Sequence, residues 1–244
     1  MDTTGFWLAL TSLVGGFLQP VVGFGYAVFV MIFFPLFLPS ITDATTITCL
    51  MCLVSSSWLL IQFRKSAQPK RVSWLIVSFL VAMPIAMHLA TLIPRKEMGI
   101  LLGIFLLAVG LYYLIYSEKL RIPCTPAAGL STGVIAGIFS GLFAISAPPA
   151  ALYCLSVMDT KEGYIATLQF FFVVTNIYAT TVRIINGLIT LEILRLSAFA
   201  SIGMAVGMLL GEMVYRKADL PLIKRWSFIF IALMGVWTII SNLI

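Results

Sequence analysis

Charge is what this sequence has least of. Asp, Glu, Lys and Arg together make up 10% of its 244 residues against 61% hydrophobic, and the mean hydropathy is +1.09. So little polar surface cannot cover a soluble globule of this size, which places the chain in a bilayer. A single histidine cannot build a His-based metal site. No zinc-ligand spacing, nucleotide-binding loop or nucleophile elbow occurs, so hydrolytic, phosphoryl-transfer, metal and cofactor chemistry are not expected. Four cysteines, all in or beside apolar stretches, give no sign of a disulfide framework. Acidic residues are fewer still than basic ones, and the net charge is +6. The bases fall in short clusters between apolar runs (Arg64, Lys65, Lys70, Arg71, then Arg216, Lys217, Lys224, Arg225), a topology signal rather than a nucleic-acid footprint. The opening Met1-Asp2-Thr3-Thr4 carries no positive charge, and no clean cleavage site follows. The first apolar segment is therefore expected to be retained rather than removed as a signal peptide.

What is present is apolar length. Runs at 44–63, 72–93, 98–116, 164–185, 193–214 and 226–244 each hold roughly 20 residues, enough to cross a hydrocarbon core of about 30 Å. The connections are short, so any activity must sit among the helices. Two further stretches, 5–38 and 126–157, are too long for one span and are broken by Gly16–Ala27 (GFLQPVVGFGYA) and Gly137–Ala150 (GIFSGLFAISAPPA). Each reads as a broken helix pair or a re-entrant hairpin.

The chain also repeats itself. Shifted by 121 positions, Gly16 meets Gly137, Thr46 meets Thr167, Met83 meets Met204, Met87 meets Met208, and Arg95-Lys96 falls on Arg216-Lys217. Residues 1–118 and 119–244 are thus expected to be two copies of one membrane unit, each a broken helix pair plus three transmembrane helices. If each long segment crossed once, Lys and Arg would divide almost evenly between the two sides. If each returns to its own side, the copies are inverted, and only Arg95, Lys96, Arg183 and Arg195 of the 15 bases lie outside. The positive-inside rule favours the second arrangement, and Trp74 and Trp226, just after the basic loops, suit its interfacial belt. The expected fold is an all-α polytopic membrane protein of two inverted repeats in the cytoplasmic membrane, enclosing a site as secondary transporters do.

Irregular backbone at membrane depth survives only where protein or a wet cavity surrounds it. The two breaks should therefore face each other and aim two helix N-termini at one anion site. Pro148 and Pro149 suit a first helical turn, and Ser146 is placed to cap it. Gly23, Gly25 and Tyr26 in the first copy and Gly141, Ser146 and Pro148 in the second are the candidate lining. Gln19 and Ser140 are candidate donors to an oxyanion. Gln169, Asn176 and Arg183 recur every seven residues on one helical face. Asn176 and Arg183 join the candidates, Arg183 either recruiting an anion at the mouth or reaching out to the interface. His88 and Glu212 are the candidates for carrying a coupling proton. The serines and threonines at depth are read as bonding between helices.

These segments resemble the sulfite exporter family of the TauE/SafE type over nearly the whole chain. Gly133, Gly137, Gly141 and Pro148 fit the family's Gly-x-x-x-Gly and Gly-x-Gly-Gly-Gly-Pro pattern, whereas Phe24-Gly25-Tyr26-Ala27 and Ile145-Ser146-Ala147 depart from it. The resemblance implies a carrier of sulfite, organosulfonates or related anions, and the bulk of Tyr26 points to a small one. An uncoupled anion channel is one alternative. Another class is raised by Cys49 and Cys52, a C-x-x-C on a span, which would suit a membrane thiol-disulfide relay. No proline or charge lies beside the pair to tune its reactivity, so packing is the stronger reading.

Overall fold

Ten α-helices and two short 3-10 turns follow one another in a computed structural model that describes residues 3–116, 122–215 and 220–243. Each long interrupted segment divides into one helix of membrane length and one of half that length. The first gives α1 (Thr3–Val22) and α2 (Tyr26–Phe37), the second α6 (Pro126–Phe143) and α7 (Ala147–Val157). The remaining helices are α3 (Ile41–Phe63), α4 (Ser73–Ala90), α5 (Arg95–Tyr116), α8 (Lys161–Ile185), α9 (Leu191–Tyr215) and α10 (Leu220–Leu243). They overlap the six expected spans, α10 starting at Leu220 rather than 226. Among the described residues there is no strand.

Helix starts follow local chemistry. Ser40 Oγ accepts the Thr42 amide at 2.9 Å, Thr125 Oγ1 the Ala128 amide at 3.3 Å, and Thr160 Oγ1 the Gly163 amide at 3.1 Å, which caps α3, α6 and α8. Large apolar side chains such as Ile61, Val81, Ile202 and Leu233 remain exposed, the outer surface a lipid phase requires.

Both half-length helices fold back on their partners. Tyr26 Oη meets Ser12 Oγ at 2.9 Å, and the Trp7 and Phe37 rings stack at 5.7 Å, so α2 retraces α1. In the second copy the Ile122 amide donates to Ser156 Oγ at 2.8 Å, joining the two ends of the α6–α7 hairpin. Each interrupted segment is therefore re-entrant.

Glycine sets how closely the long helices approach. A Cβ on Gly203, Gly207 or Gly211 of α9 would fall 1.9–2.4 Å from the Ala9, Leu13 or Phe17 carbonyl oxygen of α1. One on Gly133 or Gly141 of α6 would fall 2.2–2.5 Å from the Leu75 or Met83 oxygen of α4. This is the small-xxx-small packing of membrane helices. Residue numbers rise together along both contacts, so α1 runs parallel to α9 and α6 parallel to α4. By contrast α3 and α8 run antiparallel, Cys49 lying by Thr180 and Gln68 by Thr167. So do α5 and α10, with Gly99 against Asn242 and Gly110 against Ala232. The offset-related pairs α3–α8 and α5–α10 are thus oppositely directed.

These directions carry the 64–72 and 158–160 connections to one face and the 38–40, 91–94 and 186–190 connections to the other. Arg64, Lys65, Lys70 and Arg71 lie on the first, hereafter the basic face, where Trp74 is half-exposed. Lys119, Arg121, Arg216 and Lys217 lie outside the described residues, as do the side chains of Lys224, Arg225 and Trp226. In a cysteine-free background, Ser66→Cys and Leu220→Cys should react with an impermeant maleimide from one side of the membrane, and Thr190→Cys from the other. Labelling of positions 66 and 220 from opposite sides would overturn this topology.

Candidate functional site

The two interruptions take the same backbone route. Gly23 has φ +85° and Ala144, its counterpart, has φ +56°, each turning the chain at the C-terminal end of the long helix. The Gly23 amide donates to the Gln19 carbonyl at 3.0 Å and the Ala144 amide to the Ser140 carbonyl at 2.9 Å. All four positions obey the 121 offset. A left-handed residue satisfies the last carbonyls of a helix, and glycine adopts it without strain.

After each turn a half-helix starts, capped at its N-terminus by Gly25 or Ser146. Ser146 makes no side-chain cap, contrary to expectation, because its backbone is already in a helical conformation rather than the extended one that aims a capping hydroxyl at the next turn. The first copy is capped differently: Gln19 Oε1 accepts the Tyr26 amide at 3.1 Å, leaving the Gln19 amide group as the donor. Pro148 and Pro149 remove two N–H groups from the first turn of α7. The cradle is therefore poorer in backbone donors than two unmodified helix ends would be.

The breaks meet. Gly25 and Ser146 line one cavity of about 20 Å³, together with Gln19, Cys52, Phe172 and Asn176. That is room for about one water. Tyr26, Ser140 and Pro148 are buried but do not line this cavity, and Tyr26 turns its hydroxyl back to Ser12. Gly23 faces away, its carbonyl taken by Gln169 Nε2 at 2.9 Å. Gly141 packs against α4 and also lines the larger vestibule.

Toward the face opposite the basic loops opens a vestibule of about 520 Å³, whose walls include Ser40, Thr42, Thr45, His88, Arg183 and Asn186. Arg183 is only 1% exposed there. It does not reach out to the interface, since its Nη1 donates to the Ala179 carbonyl one turn back at 3.3 Å. Toward the basic face the chain is tied shut. The Gln68 amide donates to Thr167 Oγ1 at 3.0 Å, and Tyr164 packs beside Gly23. Arg71 donates to the Val157 carbonyl and lies 3.6 Å from Asp159.

Glu212 accepts from Trp58 Nε1 at 3.0 Å and Gln62 Nε2 at 2.9 Å, tying α9 to α3. His88 is exposed in the vestibule wall. Cys49 and Cys52 are free thiols, Cys49 lying 3.8 Å from Asn176 Oδ1 and 3.6 Å from Thr180 Oγ1. Most buried hydroxyls bond within their own helix instead of across helices: Thr45 and Thr46 to the Thr42 carbonyl, Ser55 and Ser56 to that of Cys52, Thr175 to that of Phe171. Self-bonding of this kind satisfies a hydroxyl at depth without a neighbour.

Among the described residues six helices, α1, α3, α4, α6, α8 and α9, are long and apolar enough to cross a membrane, and around a small central cavity with a vestibule on one side they define a multi-pass membrane transporter. The model of the sulfite exporter TauE/SafE family matches residues 8–238, nearly the whole chain. The protein belongs to that family, whose members are transporters rather than enzymes. No curated protein and no solved structure matches it.

Sequence reasoning found Gln19, Gly25, Ser146 and Asn176 on the cavity wall but missed Cys52 and Phe172. Both look like packing residues, and only the α3–α8 contact turns them inward. Ala144 is the one non-glycine residue with positive φ among the described residues. Ala144→Gly should therefore raise unfolding stability by about 1 kcal/mol, read as a higher melting temperature of the purified protein.

Proposed function

We propose that this protein carries a small sulfur-containing oxyanion, of the sulfite or organosulfonate class, across the cytoplasmic membrane by alternating access between two inverted copies. The observation that carries this reading is that both interrupted hairpins, from opposite halves of the chain, end on one buried cavity. Antiparallel α3–α8 and α5–α10 pairs support the inversion. The site residues are Gln19, Gly25, Ser146 and Asn176, with Gly23, Tyr26, Ser140, Gly141 and Pro148 shaping the turns around them.

Alternating access is supported by the contrast between the two sides. A pseudo-symmetric molecule has a wide vestibule toward one face and hydrogen-bonded closure toward the other, so exchanging the two conditions would reopen the site to the opposite side. An uncoupled pore is less well supported, because a central cavity of about 20 Å³ interrupts any water path. A thiol relay is less well supported still, since the Cys49 thiol faces Asn176 and Thr180 rather than another cysteine. Small cavity size favours a compact anion over an aromatic sulfonate.

Binding of sulfite, thiosulfate, sulfate and sulfoacetate to the purified protein, followed by flux in proteoliposomes, tests the proposal. Sulfite or a close relative should bind and be transported, and Asn176→Leu should weaken binding roughly tenfold by removing a polar partner. Failure of all four anions to bind the folded protein would overturn it.

A further inference from the structure

Among the described residues the least compensated charged group is Arg183. Its Nη1 is held by the Ala179 carbonyl, while Nε and Nη2 are buried without a partner. Among the described residues no carboxylate pairs with it. Among those residues the ion pairs lie elsewhere, at Arg71–Asp159 and Arg195–Glu192. A guanidinium stays charged under all ordinary conditions, and at membrane depth an unpaired one is costly. A fixed cation with two idle donors is in place for a ligand that brings the missing charge.

Its position and its edge define that ligand. Arg183 lines the vestibule, two turns of α8 beyond Asn176, which lines the central cavity. The guanidinium therefore stands between the two spaces. Nε–H and the neighbouring Nη2–H form one edge of the guanidinium plane. That edge meets two oxygens of one anion through parallel hydrogen bonds. With Nη1 anchored to Ala179, the edge is held in orientation before any anion arrives.

We propose that Arg183 is a side-on, bidentate oxyanion site between the vestibule and the central cavity, engaged before the anion reaches Gly25 and Ser146. The ligand class is a polyatomic anion with two oxygens on one atom, such as a sulfite or sulfonate group, in preference to a spherical halide. This rests on the transport reading above and adds the group that selects for charge and shape. The counterpart of Arg183 in the first copy is Gln62, engaged with Glu212, so the two mouths of the pathway are chemically different.

The test is calorimetric sulfite binding to purified wild-type, Arg183→Lys and Arg183→Gln protein. Lysine keeps the charge and loses the fork. Arg183→Lys should therefore bind sulfite at least about tenfold more weakly, with chloride competing equally poorly in both proteins. Equal sulfite affinity in wild-type and Arg183→Lys would overturn this site while leaving the central-cavity reading intact. No sulfite, thiosulfate, sulfate or sulfoacetate binding by the wild-type would overturn both. Should the variants not fold, anomalous maps from wild-type crystals grown with selenite decide. Density in hydrogen-bond contact with Nε and Nη2 is the expected result. Density confined to the Gly25–Ser146 cavity, or absent at Arg183, overturns the site.

Discussion

A backbone interrupted at membrane depth must find every hydrogen bond within the protein, and the architecture follows from that need. The amides at Gly23 and Ala144 turn back to the preceding turn, the Tyr26 amide goes to Gln19, and the Gly23 carbonyl goes to Gln169. Three of these partners lie within the same hairpin, and the fourth, Gln169 on α8, is reached only because the first hairpin is enclosed. Enclosure is provided by the parallel α1–α9 and α4–α6 contacts, where glycine lets helix backbones approach to a distance no side chain would permit. The outer ends of the half-helices are held as well. Arg95 donates to the Pro35 and Pro39 carbonyls at 2.8 Å, and Arg71 to that of Val157. Each cation sits at the negative end of a half-helix dipole. The hairpins are thus clamped outside and free to present their inner ends to each other.

Shared geometry with different chemistry is the mark of the pair. Gly23 and Ala144 make one turn, yet only the first does so without strain. Gln19 caps its half-helix through a side chain, whereas its counterpart Ser140 contributes a carbonyl to the turn. Prolines delete donors from one half-helix start and not from the other. A site built on such a pair is not itself two-fold symmetric. A single anion bound there, as proposed, would have one preferred orientation, which suits a ligand whose oxygens and remaining substituent need different surroundings.

The large features were readable because each rests on a simple physical requirement. Spans are long apolar runs because a bilayer has a fixed thickness, and re-entry was implied by charge, since only that arrangement gathers the bases on one side. The break windows were readable from Pro20, Gly23, Gly25 and Pro148, although the turns fall at their far ends, at 23–25 and 144–146. Packing glycines are harder to tell from site glycines. Gly141 sits in a Gly-rich window, but the nearness of the Met83 oxygen, not a ligand, is what excludes a side chain there. The vestibule was illegible. Its walls come from the starts of α3 and α5 and the ends of α4, α6 and α8, which are brought together only by the crossing of helices remote in sequence.

One periodicity in the sequence proved to be spatial. Gln169, Asn176 and Arg183 are spaced by two turns of α8, about 10 Å apart, and each meets a different part of the path. Gln169 holds the closure toward the basic face, Asn176 lies on the cavity wall, and Arg183 stands at the vestibule floor. A rigid helix links these stations, so a shift of α8 against α3 large enough to widen the cavity at Asn176 also disturbs the Gln169 bond to Gly23. Opening at the centre and release of the inner closure are then one mechanical event. In the proposed transport cycle, an anion that draws Arg183 and Asn176 toward itself would supply the differential contact energy such an event requires.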